Sequence, residues 1–211
     1  MEQHWIKSDI TAWERFYRIA FVNSLAGAKP LFLVGTQNAA GQHNLAPFHN
    51  IVHVGANPPL LGILFRPAMP ELSHTWHNLE TWGACTLNAV HAGMLAAAHA
   101  TSAKFPAGES EFSAAGLTPK TAASLPAPYV AESRLRIGCT LVEWHTVQAN
   151  QTRFAVLAVE EVFLPADATT EDGFVQPSRT GSLSAVGLDA YGPAGTLTRL
   201  PYAHAPSTSF S

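Results

Sequence analysis

Charge is almost absent from one long part of the chain. Between residues 30 and 103 only Arg66, Glu71 and Glu80 are charged, with histidine counted as neutral. Residues 30–65 carry no charge. Such a run is typical of core strands. Because the two uncharged segments end on the cations Arg66 and Lys104, they also suit a flat amphipathic ligand with an anionic tail. Composition alone favours the core interpretation, and the order of the residues strengthens the ligand interpretation.

Length and charge limit the class of protein. A chain of 211 residues can build one good-sized core, so we predict a single domain over residues 1–211, with its core at about 21–202 and a polar tail at about 204–211. The net charge of -3, without a Lys/Arg-rich block, argues against nucleic acid or an anionic membrane as the main partner. With 13% charged and 47% apolar residues, burial must be extensive, as a homodimer interface would provide.

The cysteines and the N-terminus indicate a cytoplasmic protein. Cys85 and Cys139 lie in apolar, strand-like runs without CxxC spacing, which predicts buried free thiols in a reducing compartment. The N-terminus lacks the features of a signal peptide. The run 81–103 is long enough for a membrane span, but Asn88, two histidines and several hydroxyls make it a poor one.

Sequence patterns predict mostly strands, joined by turns and a few short helices. The predicted strands cover residues 31–36, 43–54, 60–65, 84–90, 136–148 and 152–164, with turns at 38–42 and 149–151. The predicted helical segments are one that Ser8 caps and that runs through 13–17, one at 76–79 and one at 93–99. Residues 104–127 are rich in Pro, Gly, Ala and Ser, which predicts a long excursion with little regular structure.

Several familiar site patterns are absent. The chain has no GxGxxG that opens a helix after a strand, no GxxxxGK[ST] and no GxSxG. Its ten histidines raise the question of a metal. His49 and His53 are spaced for one strand face, and His91 and His99 for one helix face, but no HExxH or Cys/His cluster accompanies them. We therefore predict no protein-bound metal.

The order of several short motifs resembles the flavin reductase-like family of FMN-binding split-barrel proteins. The motifs lie at Val22 to Thr36, Asn44 to Gly62, Arg66-Pro67, His74 to Asn78, Thr86 to Asn88, His99 to Pro106 and Ser110 to Leu117. Singly they are weak, and together they span nearly the whole chain. The resemblance implies a mainly β fold, an antiparallel split β-barrel of Greek-key type with a few short peripheral helices. It also implies a homodimer with one FMN per subunit near the dimer interface.

One strand is the candidate for the flavin ring. An isoalloxazine is a wide apolar plate with hydrogen-bonding edges, so it needs strand amides and small side chains that permit close approach. The segment from Asn44 to Asn50 meets this need, because Ala46 and Pro47 leave room and the asparagines supply donors. The candidates are Asn44, Ala46, Pro47, Phe48 and Asn50. The alternative is an ordinary strand in which Pro47 marks an edge or a bulge.

Hydroxyls and cations mark a candidate phosphate end. A phosphate at a helix N-terminus needs free amides, a hydroxyl and a cation. By resemblance, the candidates for the ribityl phosphate are Arg66, Thr75, Thr101, Ser102, Ala103 and Lys104, with Asn88 in support from the adjacent strand. The alternative for Lys104 is a solvated loop cation.

The resemblance implies an oxidoreductase that transfers hydride from NADH or NADPH to FMN, with a flavin-using oxygenase as a candidate partner. Flavin carries the redox chemistry itself, so no catalytic acid or base is assigned. Candidates for the donor or substrate pocket are His49, Asp189, Tyr191 and Tyr202. Two alternatives stay open. One is an FMN-binding electron-transfer protein without turnover, and the other is an oxidoreductase that keeps FMN bound and acts on a small organic molecule.

Overall fold

The computed structural model describes residues 1–67, 74–103, 105, 109–122 and 124–203. In chain order its strands are β1 (Lys29–Pro30), β2 (Phe32–Gln37), β3 (His43–Phe48), β4 (Ile51–Ala56), β5 (Pro59–Phe65), β6 (Ala84–Ala89), β7 (Pro119–Ala122), β8 (Leu125–Val130), β9 (Arg136–Val147), β10 (Thr152–Phe163), β11 (Leu183–Val186) and β12 (Ala190–Pro193). Its α-helices are α1 (Lys7–Ala12), α2 (Arg15–Leu25), α3 (His74–Trp82), α4 (Leu95–Ala100), α5 (Glu111–Ala115) and α6 (Pro177–Thr180). The fold is mainly β, as the sequence predicted.

The main sheet is antiparallel and has the order β3-β2-β6-β9-β10-β5-β4. Its two edge strands, β3 and β4, are separated in sequence by only His49 and Asn50. Two residues span at most about 7 Å, so the sheet has to curl until its edges approach each other. At this seam, where the two edges approach each other, Asn50 O accepts a hydrogen bond of 3.0 Å from Leu64 N, which ties the linker between them to β5. The curled, incompletely closed sheet confirms the predicted split barrel.

Strand β2 is buried on both faces and separates two hydrophobic clusters. Phe32 and Val34 belong to the cluster inside the barrel, while Leu33 belongs to a second cluster with Leu45 and Leu183. Side chains of a strand alternate between its two faces, and a strand covered on both faces reads as a continuous apolar run. This explains why the segment before the first turn carries no charge.

The long hairpin of β9 and β10 matches the prediction closely. Val147 pairs with Thr152, and the intervening turn places Gln151 at a positive φ of 60°. Strand β10 also pairs with β5 from Arg153 to Ala158, so it lies between two partners. The predicted pair of strands with a turn at residues 149–151 is therefore confirmed.

The N-terminal prediction was wrong in detail. Instead of one helix capped by Ser8, two helices form. Asp9 in the first turn of α1 accepts a hydrogen bond from Ile6 N at 3.0 Å. Glu14 caps α2 by accepting from the amides of Phe16 at 2.7 Å and Tyr17 at 3.1 Å. A carboxylate at the start of a helix satisfies free amides and complements the helix dipole, which explains the second start.

Three other predictions need correction. The strand expected over residues 43–54 is divided at His49 and Asn50 into β3 and β4. The excursion expected over 104–127 contains α5, β7 and the first half of β8, and residues 104, 106–108 and 123 within it lie outside the described part. The helix expected at 93–99 begins as a 3-10 turn at Ala92–Met94 before α4. No helix in the described ranges is long and apolar enough to cross a membrane.

Candidate functional site

A groove opens along the edge strand β3, and it is called the β3 groove below. Its volume is about 650 Å³, which lies in the range of small-molecule sites. Its walls are β3 with the linker that follows it, the end of β5, the first turn of α3, the C-terminal end of α4 and the segment between β11 and β12. The groove therefore lies beside the seam of the barrel.

Most residues predicted for the site lie in this groove. Its lining includes the predicted residues Asn44, Ala46, Pro47, Phe48, His49, Asn50, Arg66, Thr75, Thr101, Ser102, Ala103 and Tyr191. Lys104, which was predicted to hold the phosphate, lies outside the described residues. The fold thus brings together predicted residues that are up to 147 positions apart in the chain, from Asn44 to Tyr191.

Three predicted residues do not line the groove. Asn88 is fully buried in β6, where its side chain bonds to Leu33, Thr86 and Val130, so its polar groups serve the core. Asp189 is exposed in the turn before β12, and Tyr202 is 86% exposed near the end of the described chain. The structure therefore gives Asn88 a structural position instead of the supporting position beside the phosphate that the sequence suggested.

Strand β3 can offer main-chain groups because it lies at the edge of the sheet. Its inner side pairs with β2, where Pro47 is opposite Leu33. Proline lacks an N–H and is tolerated at such an edge. On the outer side, Leu45 N donates to Glu111 Oε2 at 3.0 Å, which shows that amides of this strand reach groups beyond the sheet. The edge position and the small side chain of Ala46 allow a ligand to approach the backbone closely.

A buried network of amides and hydroxyls fixes α3 against β2 and β3. Asn44 Nδ2 donates to Thr75 Oγ1 at 3.0 Å and to Thr36 Oγ1 at 3.3 Å. Asn78 Nδ2 donates to the same Thr36 oxygen at 3.1 Å. All four residues are buried, and buried polar groups persist only when they are hydrogen-bonded. The network holds the first turn of α3 at the groove, with Asn44 and Thr75 in the wall.

The start of α3 and Arg66 supply the groove with positive character. His74 and Thr75 open this nine-residue helix and line the groove. Free amides and the helix dipole make a helix N-terminus favourable for an anion. Arg66 follows β5 directly, and among the described lining residues it is the one with a permanent positive charge. An anionic group is therefore favoured at this end of the groove.

The end of α4 has a different character, although its residues look similar in sequence. Thr101 Oγ1 donates to Ala98 O and Ser102 Oγ donates to His99 O, both at 2.7 Å. The amides of Thr101, Ser102 and Ala103 also bond to carbonyls of α4. This helix end carries partial negative charge, so it suits hydroxyl donors better than a phosphate, which only accepts hydrogen bonds.

His49 lies in the groove at the seam, and its environment favours the neutral imidazole. Burial lowers the pKa of His49 below its usual value of 6.5, and the charges of Lys29 and Arg66 lower it further, while the nearby Asn50 side chain opposes the shift. In the described part of the chain, its buried Nδ1 has no hydrogen bond of normal geometry. A buried ring nitrogen without such a bond can be satisfied by a ligand.

Tyr191 is held in the wall by His99. Its hydroxyl lies 2.8 Å from His99 Nδ1, and the two rings meet edge to face with centroids 5.7 Å apart. Burial raises the pKa of Tyr191, and the carboxylate of Asp189 raises it further. The phenol is therefore protonated at neutral pH and fixed by its partner from α4.

Sequence reasoning missed several residues of the groove. Besides His74 and Glu111, they are Leu31, Leu64, Phe65, Phe105 and Leu188. The motif from Ser110 to Leu117 was recognised without a role for Glu111, whose bond to β3 joins distant segments. Leu188 is adjacent to the predicted Asp189. Apolar residues such as these carry no local signal that separates a groove wall from core.

Comparison with known proteins assigns the family. The chain matches the flavin reductase like domain over residues 26–183. A solved structure from Shewanella frigidimarina, assigned as a flavin reductase with a split barrel domain, is 39% identical and superposes with a TM-score of 0.91, covering 96% of this chain and 100% of that one. Nitrilotriacetate monooxygenase component B from Bacillus cereus shares the fold with a TM-score of 0.82, at 20% identity, covering 94% of this chain and all of that one.

Two curated relatives are uncharacterised proteins. One from Halalkalibacterium halodurans is 33% identical over 112 residues. The match covers 53% of this chain and 54% of the relative, which is about half of the length of each. One from Deinococcus radiodurans is 27% identical over 172 residues, which cover 77% of this chain and 73% of the relative. The match over residues 26–183 covers most of the chain, and the barrel and its groove agree with it. The protein belongs to the flavin reductase-like family, a class of flavin-related oxidoreductases.

Proposed function

We propose that the protein is an FMN-dependent reductase, which accepts hydride from NADH or NADPH on FMN held in the β3 groove. The observation that carries this proposal is the arrangement of the groove, in which an edge strand with small residues and an anion-favouring helix start form walls of one cavity. A flavin mononucleotide has the same two parts, an amphipathic ring and a phosphate.

The residues present fit FMN. Ala46 and Pro47 leave room for the ring plane along β3, and Asn50 at the seam supplies an amide for its polar edge. The buried Nδ1 of His49, which has no hydrogen bond of normal geometry among the described residues, can offer a further hydrogen bond beside the ring. The groove volume of about 650 Å³ suits a ligand of this size.

The phosphate is best placed at the start of α3. Arg66 and the first-turn amides near Thr75 supply positive character there, and Lys104 is retained as a further candidate cation. The hydroxyl oxygens of Thr101 and Ser102 accept hydrogen bonds from ribityl hydroxyls, because their own protons are already donated to α4.

The chemistry needs orientation more than acid–base catalysis. FMN, when bound, supplies the hydride-accepting centre itself, so the protein has to position the two reactants and exclude water. His49 and Tyr191 stand in the groove wall, where they can shape the pocket of the nicotinamide donor. The neutral state of His49 avoids placing a second charge beside Arg66.

We propose a cytoplasmic homodimer that supplies reduced flavin to a flavin-using oxygenase. Helices α1 and α2 contain no buried residue, and Phe16, Tyr17 and Leu25 are 71%, 58% and 66% exposed, which supports an apolar contact with a second copy. The free, buried Cys85 and Cys139 suit a reducing compartment. The oxygenase partner is supported by the shared fold of nitrilotriacetate monooxygenase component B.

The experiment begins with the absorption spectrum of the purified protein, followed by anaerobic mixing with NADH and NADPH in the presence and absence of added FMN. We expect oxidation of one nucleotide that depends on FMN. If FMN is bound but neither nucleotide is oxidised, the reductase proposal fails and the electron-transfer alternative is favoured. Turnover that is independent of added flavin favours the alternative in which bound FMN acts on a small organic molecule.

A further inference from the structure

A second cavity lies where β9 begins and β10 ends. Its volume is about 520 Å³, and its described lining residues are all different from those of the β3 groove. One side is the turn between β8 and β9 with the first residue of β9, and the other side is the end of β10 with Leu164 and Pro165. We call this space the arginine pocket, because Arg134 and Arg136 line it.

The turn that carries the two arginines is fixed to the barrel. Ser133 is buried in this turn, and its hydroxyl donates to Ala89 O at 2.8 Å. Ala89 N donates in turn to Leu135 O at 2.9 Å. Arg134 and Arg136 lie on either side of Leu135, so both guanidinium groups extend from a backbone that is held against β6. A binding site on such rigid elements keeps its geometry.

Arg136 is stacked on the aromatic wall of the pocket. It is paired with Phe163 across β9 and β10, so the two side chains share one face of the sheet. The guanidinium carbon lies 5.2 Å from the centre of the phenyl ring. The Nε atom of Arg136 is buried and has no hydrogen bond of normal geometry among the described residues. A donor of a charged group that lacks an acceptor is costly, which favours an anionic partner for this guanidinium.

No carboxylate of the described residues forms an ion pair with either arginine. Glu132 also lines the pocket, but its carboxylate accepts from Thr118 N, at 3.1 Å for Oε1 and 3.2 Å for Oε2. Glu161, two residues before Phe163 on β10, accepts from the hydroxyl of Tyr129 at 2.6 Å. Two arginines and one glutamate leave the described lining with a formal charge of +1, which matches a single carboxylate.

The opposite wall of the pocket is apolar. Val162 and Phe163 are 45% and 37% exposed, and Leu164 and Pro165 continue this wall. Apolar side chains beside fixed cations suit a ligand that has an apolar body as well as a charge. A planar carboxylate matches the fork of a guanidinium with two hydrogen bonds, and the body of the ligand then covers the exposed wall.

We infer that the arginine pocket binds a small organic monocarboxylate with an aromatic or branched apolar body. The carboxylate lies beside Arg134 and Arg136, and the apolar body lies against Val162 and Phe163. The site is separate from the β3 groove, so the inference does not depend on the proposed function.

The test is a titration of isotope-labelled protein with benzoate, followed through the NMR signals of the backbone amides. We expect saturable shifts of the amides of residues 131–136 and 162–164. Arg136→Gln and Arg134→Gln should each weaken the binding of benzoate by about tenfold, the low end for loss of a charge-assisted hydrogen bond at a partly exposed site. Because Arg134 is exposed, its variant keeps the test valid even where Arg136→Gln disturbs the strand.

Arg15→Gln is the matched control. The guanidinium of Arg15 also lies over a phenylalanine ring, that of Phe16 at 5.7 Å, but both residues are exposed on α2. Its loss should leave the affinity for benzoate unchanged.

Two further ligands separate the parts of the pocket. Benzamide has the ring without the charge, and acetate has the charge without the ring. Each should bind more weakly than benzoate by at least about fivefold, because one lacks the charged hydrogen bonds and the other buries little apolar surface.

Several results would overturn the inference. It is wrong if benzoate leaves the amides of residues 131–136 and 162–164 unshifted, or if wild type, Arg134→Gln and Arg136→Gln bind benzoate equally well. Benzamide that binds as tightly as benzoate would refute recognition of the carboxylate. Acetate that binds as tightly as benzoate would refute the role of the apolar wall.

Discussion

A mutation of Asn88 can test whether this residue stabilises the fold or supports the cofactor. The sequence suggested a position near the phosphate, and the structure places the side chain in the core. Its Nδ2 donates to Leu33 O at 3.1 Å and to Thr86 Oγ1 at 2.9 Å, and its Oδ1 accepts from Val130 N at 2.9 Å. The side chain thus ties β6 to β2 and to β8. We expect Asn88→Ala to lower stability without changing the affinity for FMN.

The magnitude follows from the groups that lose their partner. The amide of Val130 and the carbonyl of Leu33 are both buried, and a buried donor or acceptor that loses its partner costs about 1 to 3 kcal/mol. The cost for the carbonyl of Leu33 is the smaller of the two, because a carbonyl oxygen has two lone pairs and tolerates the loss of one hydrogen bond more easily than an amide does. A loss of about 3 kcal/mol in the free energy of unfolding is expected, which lowers Tm by roughly 6 to 12 °C for a chain of this size.

The assay is urea and thermal unfolding at one fixed protein concentration, since dimerisation would make Tm concentration-dependent. Asn150→Ala is the matched control, because its exposed side chain accepts a single bond from Thr152 N and should change stability by less than about 0.5 kcal/mol. The reasoning is refuted if Asn88→Ala costs less than about 1 kcal/mol. It is equally refuted if the folded variant binds FMN more than about threefold less tightly.

Three further outcomes follow from the groove and the core. In calorimetry, Arg66→Ala should weaken the binding of FMN by about 1.5 kcal/mol, or roughly tenfold, and leave the binding of riboflavin unchanged. The value is at the low end for a charged hydrogen bond because Arg66 is exposed. Equal weakening of both ligands would contradict the phosphate assignment. The pKa of His49 is lowered in the folded state, so the unfolded chain binds its proton first, and stability falls as pH drops through 6.5 towards the lower folded value. Wild type should therefore lose more free energy of unfolding than His49→Gln between pH 7.5 and 5.5. Parallel pH profiles of the two proteins would contradict the lowered pKa. Burial raises the pKa of Cys85 well above its usual range and that of Cys139 to about 12. A thiol reagent at pH 8 should therefore modify neither cysteine in the native protein and both in denaturant. Rapid modification of the native protein would disprove their burial.

Some elements could be predicted from sequence because the local pattern and the final environment agree. The hairpin of β9 and β10 was predictable because two strand-like runs flank a short turn at residues 149–151. Strand β2 is covered on both faces and appears as a continuous apolar run. Ala46 and Pro47 of β3 were predicted for the site from their small side chains together with the family resemblance of the surrounding motif, and both line the groove. In these cases the chemistry of a short segment is sufficient.

Other elements depend on contacts between distant segments. The region around β8 looks irregular because it is rich in Pro and Ala, yet Thr86 Oγ1 donates to Pro128 O at 2.6 Å and fixes the strand over the barrel. A Cβ on Gly35 would lie 2.2 Å from the same carbonyl oxygen, so glycine is required there for β8 to approach β2. Tertiary contacts of this kind outweigh local propensity, which is why composition predicted a loop.

The direction of two helices decides how the β3 groove can orient a ligand. In the sequence, Thr75 and the pair Thr101 and Ser102 are equivalent hydroxyl candidates for a phosphate. In the structure, Thr75 belongs to the first turn of α3, whereas Thr101 and Ser102 follow the last turn of α4. The two helix ends present partial charges of opposite sign to one groove, each worth about 0.3 to 1 kcal/mol for a full charge nearby. An anionic tail is therefore favoured at α3 and hydroxyl donors at α4, so the groove itself distinguishes the phosphate of the proposed flavin from its ribityl chain.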